Sequence, residues 1–450
     1  MNRILKDEIL NRIEQPCITG GWHEVSGEVT ANAIQQALNK YCNVSIPYLG
    51  KPIILDEPIV LSSNNHLKAD SRQAFLQGPA SNMCLVRNEH IKDGANGPAD
   101  QNGRDKNISI EGGIWHIRTN QRCYTDREGS VKGAIGAIIL CGVEQIALKN
   151  MIICDSELCG PAGFTDSSYG IQISNCKNFM IENIDFNDNH RDGVHVNGPA
   201  AFGYIRRIRG EKMGDDMVAL NAWDWNTSAI TFGTIEHLVV EDVAGSGNEF
   251  RLLPGQKLFD DGTAADCDIR NCVIENLSGI YTFKLYAQPN IANAETGAND
   301  VSGSVGKIEN VLFQNITFAK ATSAGFHGLP VKGLFEVCAD CRHLFLEDIF
   351  VQNTVHQCEQ LDLRLMNVGP LSAVWKNGSD NPDDWGEVFD PNAVCTADEI
   401  YLKNIRFAGT AITDLNLLTR EVHMKVNPDY PKTTPKGGTG YGIIKRVICL

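Results

Sequence analysis

The chain has 450 residues, 42% of them apolar and 21% charged, with 42 glycines and a formal net charge of −15. That length exceeds one ordinary compact core, so it predicts either two domains or a fold that grows along one axis. The excess of acid removes the electrostatic footprint of a nucleic-acid or anionic-membrane binder, and no apolar run reaches the roughly 18 residues of a membrane span.

At the N-terminus, Arg3, Lys6, Asp7 and Glu8 place charge where a secretory signal would be apolar, so the expected location is cytoplasmic. The 15 cysteines are an odd number without a compact framework, which suits small apolar core fillers in a reducing compartment. Cys338 and Cys341 form a single CxxC with no second pair at zinc spacing, read as two strand cysteines, so no metal and no cofactor is expected.

Residues 1–25 are mixed in character and are expected to pack as a cap. Thr30 is placed to N-cap a helix whose apolar positions are Ala33, Ile34, Ala37 and Leu38. Very short apolar runs broken by turn residues follow, through Val44–Ile46, Ile53–Leu55 and Ile59–Leu61. One phrase then recurs: a short apolar alternation on either side of Asn or Asp. It is seen around Asn107, Asn150, Asn183, Asp242, Asn271, Asn310, Asp348 and Asn404. Spacing between copies is irregular, as in a repeat that carries loops of varied length.

Two short strands joined at Asn, with no helix between copies, predict an all-β, right-handed parallel β-helix with an N-terminal capping helix. Asn at the bend tolerates left-handed backbone and can stack on its copies above and below. A sandwich or propeller would need tight hairpins, and Asn-Gly turns between paired runs are scarce. The expected organisation is a cap with first rungs over 1–70, β-helix over 71–423 and a tail over 424–450, as one solenoid. Polar stretches at 88–106, 287–306 and 367–398 interrupt the repeat and are expected to wall a groove.

The candidate chemistry lies in Asp192-Gly193 and Gly214-Asp215-Asp216. Asp192 and Asp215 are 23 residues apart, which predicts equivalent places on neighbouring rungs. Consecutive acids on a flat strand face opposite sides. Both Asp215 and Asp216 reach one site only if the backbone bends, and Gly214 permits that. Hydrolysis of a glycosidic bond needs a proton for the leaving oxygen and a carboxylate for water or for carbon. Crowding three acids raises the pKa of at least one.

Around the acids, Trp223 and Trp225 share one face at period 2 and could stack on a sugar or pack against a loop. His190 and His195 flank Asp192 and could bind substrate, tune the acid or be structural. Arg251 could clamp a carboxylate or hydroxyls, or pair with a rung acid. Lys257, Lys284 and Tyr286 complete the candidate substrate contacts.

These segments resemble the polygalacturonase family of glycoside hydrolases, within the pectate-lyase-like β-helix superfamily. The early helix with Ile46-Pro47 and Ile59-Val60-Leu61 looks like the family's opening rung. Asp192-Gly193 and Gly214-Asp215-Asp216 match its catalytic segments. His190 stands where the family has Asn. Arg251-Leu252-Leu253 is only faintly similar to the family's Arg-Ile-Lys, and its Gly-His-Gly segment is missing. The resemblance implies an inverting hydrolase with Asp215 as general acid and Asp192 and Asp216 activating water. A carbohydrate is the expected partner, with homo-oligomerisation open. Two further functions stay open: a lyase or epimerase acting on a uronate glycan, with the acids as metal ligands, and a non-catalytic carbohydrate-binding β-helix.

Overall fold

The computed structural model describes residues 2–78, 84–91, 104–117, 136–155, 169–189, 191–211, 213–223, 230–258, 263–286, 306–318, 333–352, 364–369, 394–421 and 441–450. Its contacts divide the chain into two compact units, Met1–Asn248 and Glu249–Leu450. Each is built as right-handed parallel β-helix.

In the first unit, helix α1 spans Asn2–Leu10 and helix α2 spans Ala31–Lys40. Thr30 caps α2 as expected, its side chain accepting from the Ala33 N–H at 3.2 Å. Ile34, Ala37 and Leu38 form the buried face of α2, which packs on the first short strands. The rungs that matter for the site are β1 (Val143–Asp155), β2 (Tyr169–Asn187), β3 (Val194–Glu211), β4 (Asp216–Asn221) and β5 (Ile235–Leu253). All these pairings are parallel: β1 with β2, β2 with β3, and β3 with both β4, along its first residues, and β5, along the rest. The division between the units falls inside β5.

Register makes the core. Val44, Leu67, Ile110, Leu148, Ile181, Ile205 and Val240 pair successively and form one column of fully buried side chains. Each such burial stabilises by about 1.5–3 kcal/mol, and a slip of one residue would turn the whole set outward.

The bends confirm the role read for Asn. Asn107, Asn150 and Asn183 sit at φ between 57° and 60°. The Asn183 amide donates to Asn150 Oδ1 at 2.9 Å, and Asn107 donates to Asn64 Oδ1 at 2.9 Å. A second ladder is made of charged side chains, partly buried. Lys68, Glu111, Lys149, Glu182, Arg206 and Glu241 are register partners in turn, alternating in sign at every step. Opposite charges directly across paired strands stabilise, and like charges there destabilise.

The second unit opens with a hairpin, Gly255–Leu258 against Ala264–Cys267, and continues with β6 (Ile269–Tyr286), β7 (Lys307–Phe318), β8 (Gly333–Cys338), β9 (Asp340–Val351) and β10 (Val394–Phe407). The Asn ladder recurs: Asn310 donates to Asn271, Asn315 to Asn276 and Asn404 to Asp348, each at 2.7 Å. Cys338 and Cys341 are buried strand cysteines, and burial pushes the Cys341 thiol well up. Residues 441–449, placed by their composition in the C-terminal tail, form strand β11 (Tyr441–Cys449) in parallel register with β10. Most of the stretch from Lys425 to Gly442, rich in Pro, Gly and Lys, and most of the three interrupting stretches lie outside the described residues.

Candidate active site

Strand β3 pairs with β4 from Val194 opposite Val218, an offset of 24 residues. The same offset sets Asp192 level with Asp216, not with Asp215 as a 23-residue rung would have it. The Gly193 N–H bonds the Asp216 carbonyl at 2.9 Å, which holds the two segments in step. Strand β4 begins at Asp216, and Gly214 and Asp215 form the bend before it. That bend frees Asp215 from strand alternation. One carboxylate oxygen of each of Asp192, Asp215 and Asp216 then lies within 4.8 Å of the others.

Gly193 is a matter of space. A Cβ there would meet the Met217 carbonyl oxygen at 2.8 Å and the Phe186 ring at 2.9 Å. Asn189 fixes the turn from one side, its amide donating to the Arg191 and Asp192 carbonyls at 2.8 and 2.9 Å.

Asp192 and Asp216 are buried and Asp215 is partly open. Asp192 Oδ2 lies 2.5 Å from His195 Nδ1, and Asp192 Oδ1 accepts from the Asp216 backbone N–H at 3.3 Å. Arg191 brings a cation to within 3.8 Å of Asp215, and its guanidinium sits 5.9 Å from the Tyr169 ring centre. Tyr169 is tilted against the His195 ring at 4.3 Å. Three acids and the Arg191 guanidinium thus share a small space. The carboxylate oxygens are also close enough together for a divalent cation to bridge.

The other candidates divide. His195 is 1% exposed, with Asp192 on one ring nitrogen and Asn197 on the other, so it faces the acid and not open space. Trp223 is partly exposed in the bend after β4, 6.5 Å from the Phe232 ring centre. His190 and Trp225 lie outside the described residues.

Arg251, Lys257, Lys284 and Tyr286 belong to the second unit. Arg251 is buried. Lys284 is buried in an ion pair with Glu249, which also accepts from the Tyr281 hydroxyl. Lys257 and Tyr286 are strand residues. Sequence reasoning missed Tyr169, Gln172, Asn189, Arg191 and Asn197. Asn189, Arg191 and Asn197 carried a local signal, by their closeness to Asp192 and His195 in sequence.

No family model matches the sequence, and no curated protein matches it. Solved structures do. A hyperthermoactive exopolygalacturonase from Thermotoga maritima aligns over 91% of this chain and 97% of its own, with a TM-score of 0.54 and 11% identity. A polygalacturonase from Erwinia carotovora aligns over 91% and 98%, with a TM-score of 0.49 and 11% identity. The Streptococcus pneumoniae surface adhesin PfbA aligns over 84% of each chain, with a TM-score of 0.43 and 12% identity. The chain shares the parallel β-helix fold of the Thermotoga exopolygalacturonase.

Proposed function

We propose that the chain is a glycoside hydrolase acting on an oligosaccharide or polysaccharide. The observation that carries this is the convergence of Asp192, Asp215 and Asp216, with an oxygen of each within 4.8 Å of the others. A fold that an exopolygalacturonase also uses supports it. The roles follow the surroundings. Asp215, the most open of the three, holds a proton and delivers it to the leaving glycosidic oxygen as the bond to the anomeric carbon breaks. Asp192 takes a proton from water as the water oxygen bonds to that carbon, with Asp216 beside it. Solvent exchange then returns the proton to Asp215. Crowding of carboxyls favours a state in which one of them keeps its proton. Arg191 faces the carboxylate that Asp215 becomes.

General acid–base pairs lie roughly 6.5–9.5 Å apart in inverting glycosidases and about 5–5.5 Å apart in retaining ones. A nearest-oxygen bound of 4.8 Å selects neither, so inversion rests on the family resemblance. The Thermotoga protein is an exopolygalacturonase, which makes oligogalacturonides the first substrates to try.

The test is a screen of oligosaccharides, oligogalacturonides included, with reducing-end detection and proton NMR of the first-formed anomer. Release of reducing ends by the parent chain, and release slower by about 10²–10⁴ in Asp215→Asn, is the expected result. Tight binding without turnover across the panel would instead make the protein a carbohydrate-binding β-helix. An unsaturated product absorbing in the ultraviolet, with activity lost to chelator, would make it a lyase.

A further inference from the structure

We infer that His195 is a positioning residue that locks Asp192 as a proton acceptor. The inference rests on the hydrolase reading above for its consequence, but its geometry stands alone. It starts from a group whose role is not in question. The backbone N–H of Ile230 can only donate, and it reaches Asn197 Oδ1 at 3.2 Å. Gln172 Nε2 and Ser174 Oγ reach the same atom at 2.9 and 3.2 Å. Three donors on one atom identify it as the amide oxygen. The amide nitrogen of Asn197 is therefore the end turned to His195 Nε2, at 3.1 Å.

An amide nitrogen donates and has no lone pair to accept with. His195 Nε2 must then be the bare ring nitrogen, and the ring proton sits on Nδ1. Nδ1 lies 2.5 Å from Asp192 Oδ2, so it donates there. The second oxygen of Asp192 meets the Asp216 N–H at 3.3 Å. Both oxygens of Asp192 thus meet donors, an arrangement that favours the carboxylate over the protonated acid. An imidazolium at His195 is excluded by the same logic, because its Nε2–H would oppose the Asn197 amide N–H.

The ring cannot turn to escape. It is 1% exposed, and Tyr169 packs against it. Register supplies the frame: Gln172 is paired with His195, and Ser174 with Asn197, across β2 and β3. The charged groups facing this pair among the described residues are Asp215, Asp216 and Arg191, with the Tyr169 phenol beside them. With Asp192 held as acceptor, the proton for the leaving group comes from the Asp215–Asp216 side of the cluster.

The test is nuclear magnetic resonance of the full chain labelled in histidine and aspartate, without substrate. The spectra decide the proton network whether or not the oligosaccharide screen finds turnover. The His195 signals are assigned by their loss in His195→Gln. Long-range proton–nitrogen spectra should show Nδ1 protonated and Nε2 bare, unchanged from roughly pH 5 to 8, the range in which an ordinary histidine titrates. A ring protonated on Nε2, or one that becomes imidazolium in that window, overturns the inference.

Asn197→Asp replaces the donor by an acceptor, so a second ring proton should appear on Nε2. Ring signals identical to the parent's would remove Asn197 as the device. Should Asn197→Asp not fold, the parent spectra decide alone.

Discussion

Asp215 owes its place to the bend that precedes β4, and its side chain is 14% exposed against 5% for Asp192. The two acids therefore fail differently when changed. Asp215→Asn removes a proton donor from the open side of the cluster. Reducing-end release should fall by about 10²–10⁴, with KM changed little and the thermal midpoint preserved. Gly193→Ala acts through space instead. The new methyl meets a backbone carbonyl on one side and the Phe186 ring on the other. Overpacking of this kind costs roughly 1–3 kcal/mol. Chemical denaturation should read that loss, and hydrolysis should fall with it, because Asp192 is the next residue.

Strand pairs and bends are the next scale, and there the amino-acid pattern was most informative. Asn recurs at the bends because a left-handed residue costs an ordinary side chain roughly 1–2 kcal/mol, and its amide can bond the rung beside it. Asn183 has φ 57° and donates to Asn150. Asn183→Ala should therefore cost about 1–2 kcal/mol and Asn183→Gly less, since glycine keeps the conformation and loses only the bond. A pair of denaturant titrations gives the order, and an alanine variant as stable as the glycine one would sink the argument.

The alternating charge ladder makes a second prediction at this scale. Glu182 sits between Lys149 and Arg206 in register and pairs with Arg206 at 2.5 Å and with Arg207. Lys149 already feels its surroundings, burial first and the Arg206 charge second holding its ammonium below the usual range. Glu182→Lys puts three cations on consecutive rungs. It should destabilise the first unit by about 1–3 kcal/mol, and added salt should recover part of the loss. Both charges and register are visible in the sequence only once the rungs are aligned.

That limit explains what the pattern did not disclose. Alternating apolar residues around Asn identify the β-helix, and Asp-Gly with Asp-Asp identify the acids. The one-residue error in rung length misassigns which acid stacks on Asp192, because rung length depends on how each bend closes. Gln172 and Tyr169 reach the site across a strand pair, so nothing beside them in sequence marks them, whereas Asn197 stands two residues after His195 on the same strand. Lys284 is read as a sugar contact from its strand position, yet Glu249, 35 residues earlier, takes it into a buried ion pair. Helix α1 was unforeseen for a related reason: its nine residues are too few to be stable alone.

What holds α1 is a contact closed over most of the first unit. Lys6 Nζ reaches Glu241 at 2.9 Å across 235 residues of sequence, and the Tyr204 hydroxyl donates to the same carboxylate at 2.6 Å. Burial pushes the Glu241 carboxyl up, but the Lys6 and Tyr204 hydrogen bonds and the Lys6 charge together hold it below the usual glutamate range. Tyr204 answers in the opposite sense, raised first by burial and then by its bond to Glu241. A carboxyl depressed on folding stabilises the folded state above its unfolded pKa, and the benefit is lost as pH falls through the folded value. Glu241→Gln should therefore cost about 1 kcal/mol at neutral pH, the part-buried pair being only partly screened. The difference from the parent should shrink in acid, as the parent's own Glu241 takes up its proton. Lys6→Met should behave alike and also expose the α1 amides to hydrogen exchange. Equal stability of parent and Glu241→Gln at neutral pH, or a gap that widens in acid, would show that α1 is held by its apolar contacts, Ile9 foremost, and not by this pair.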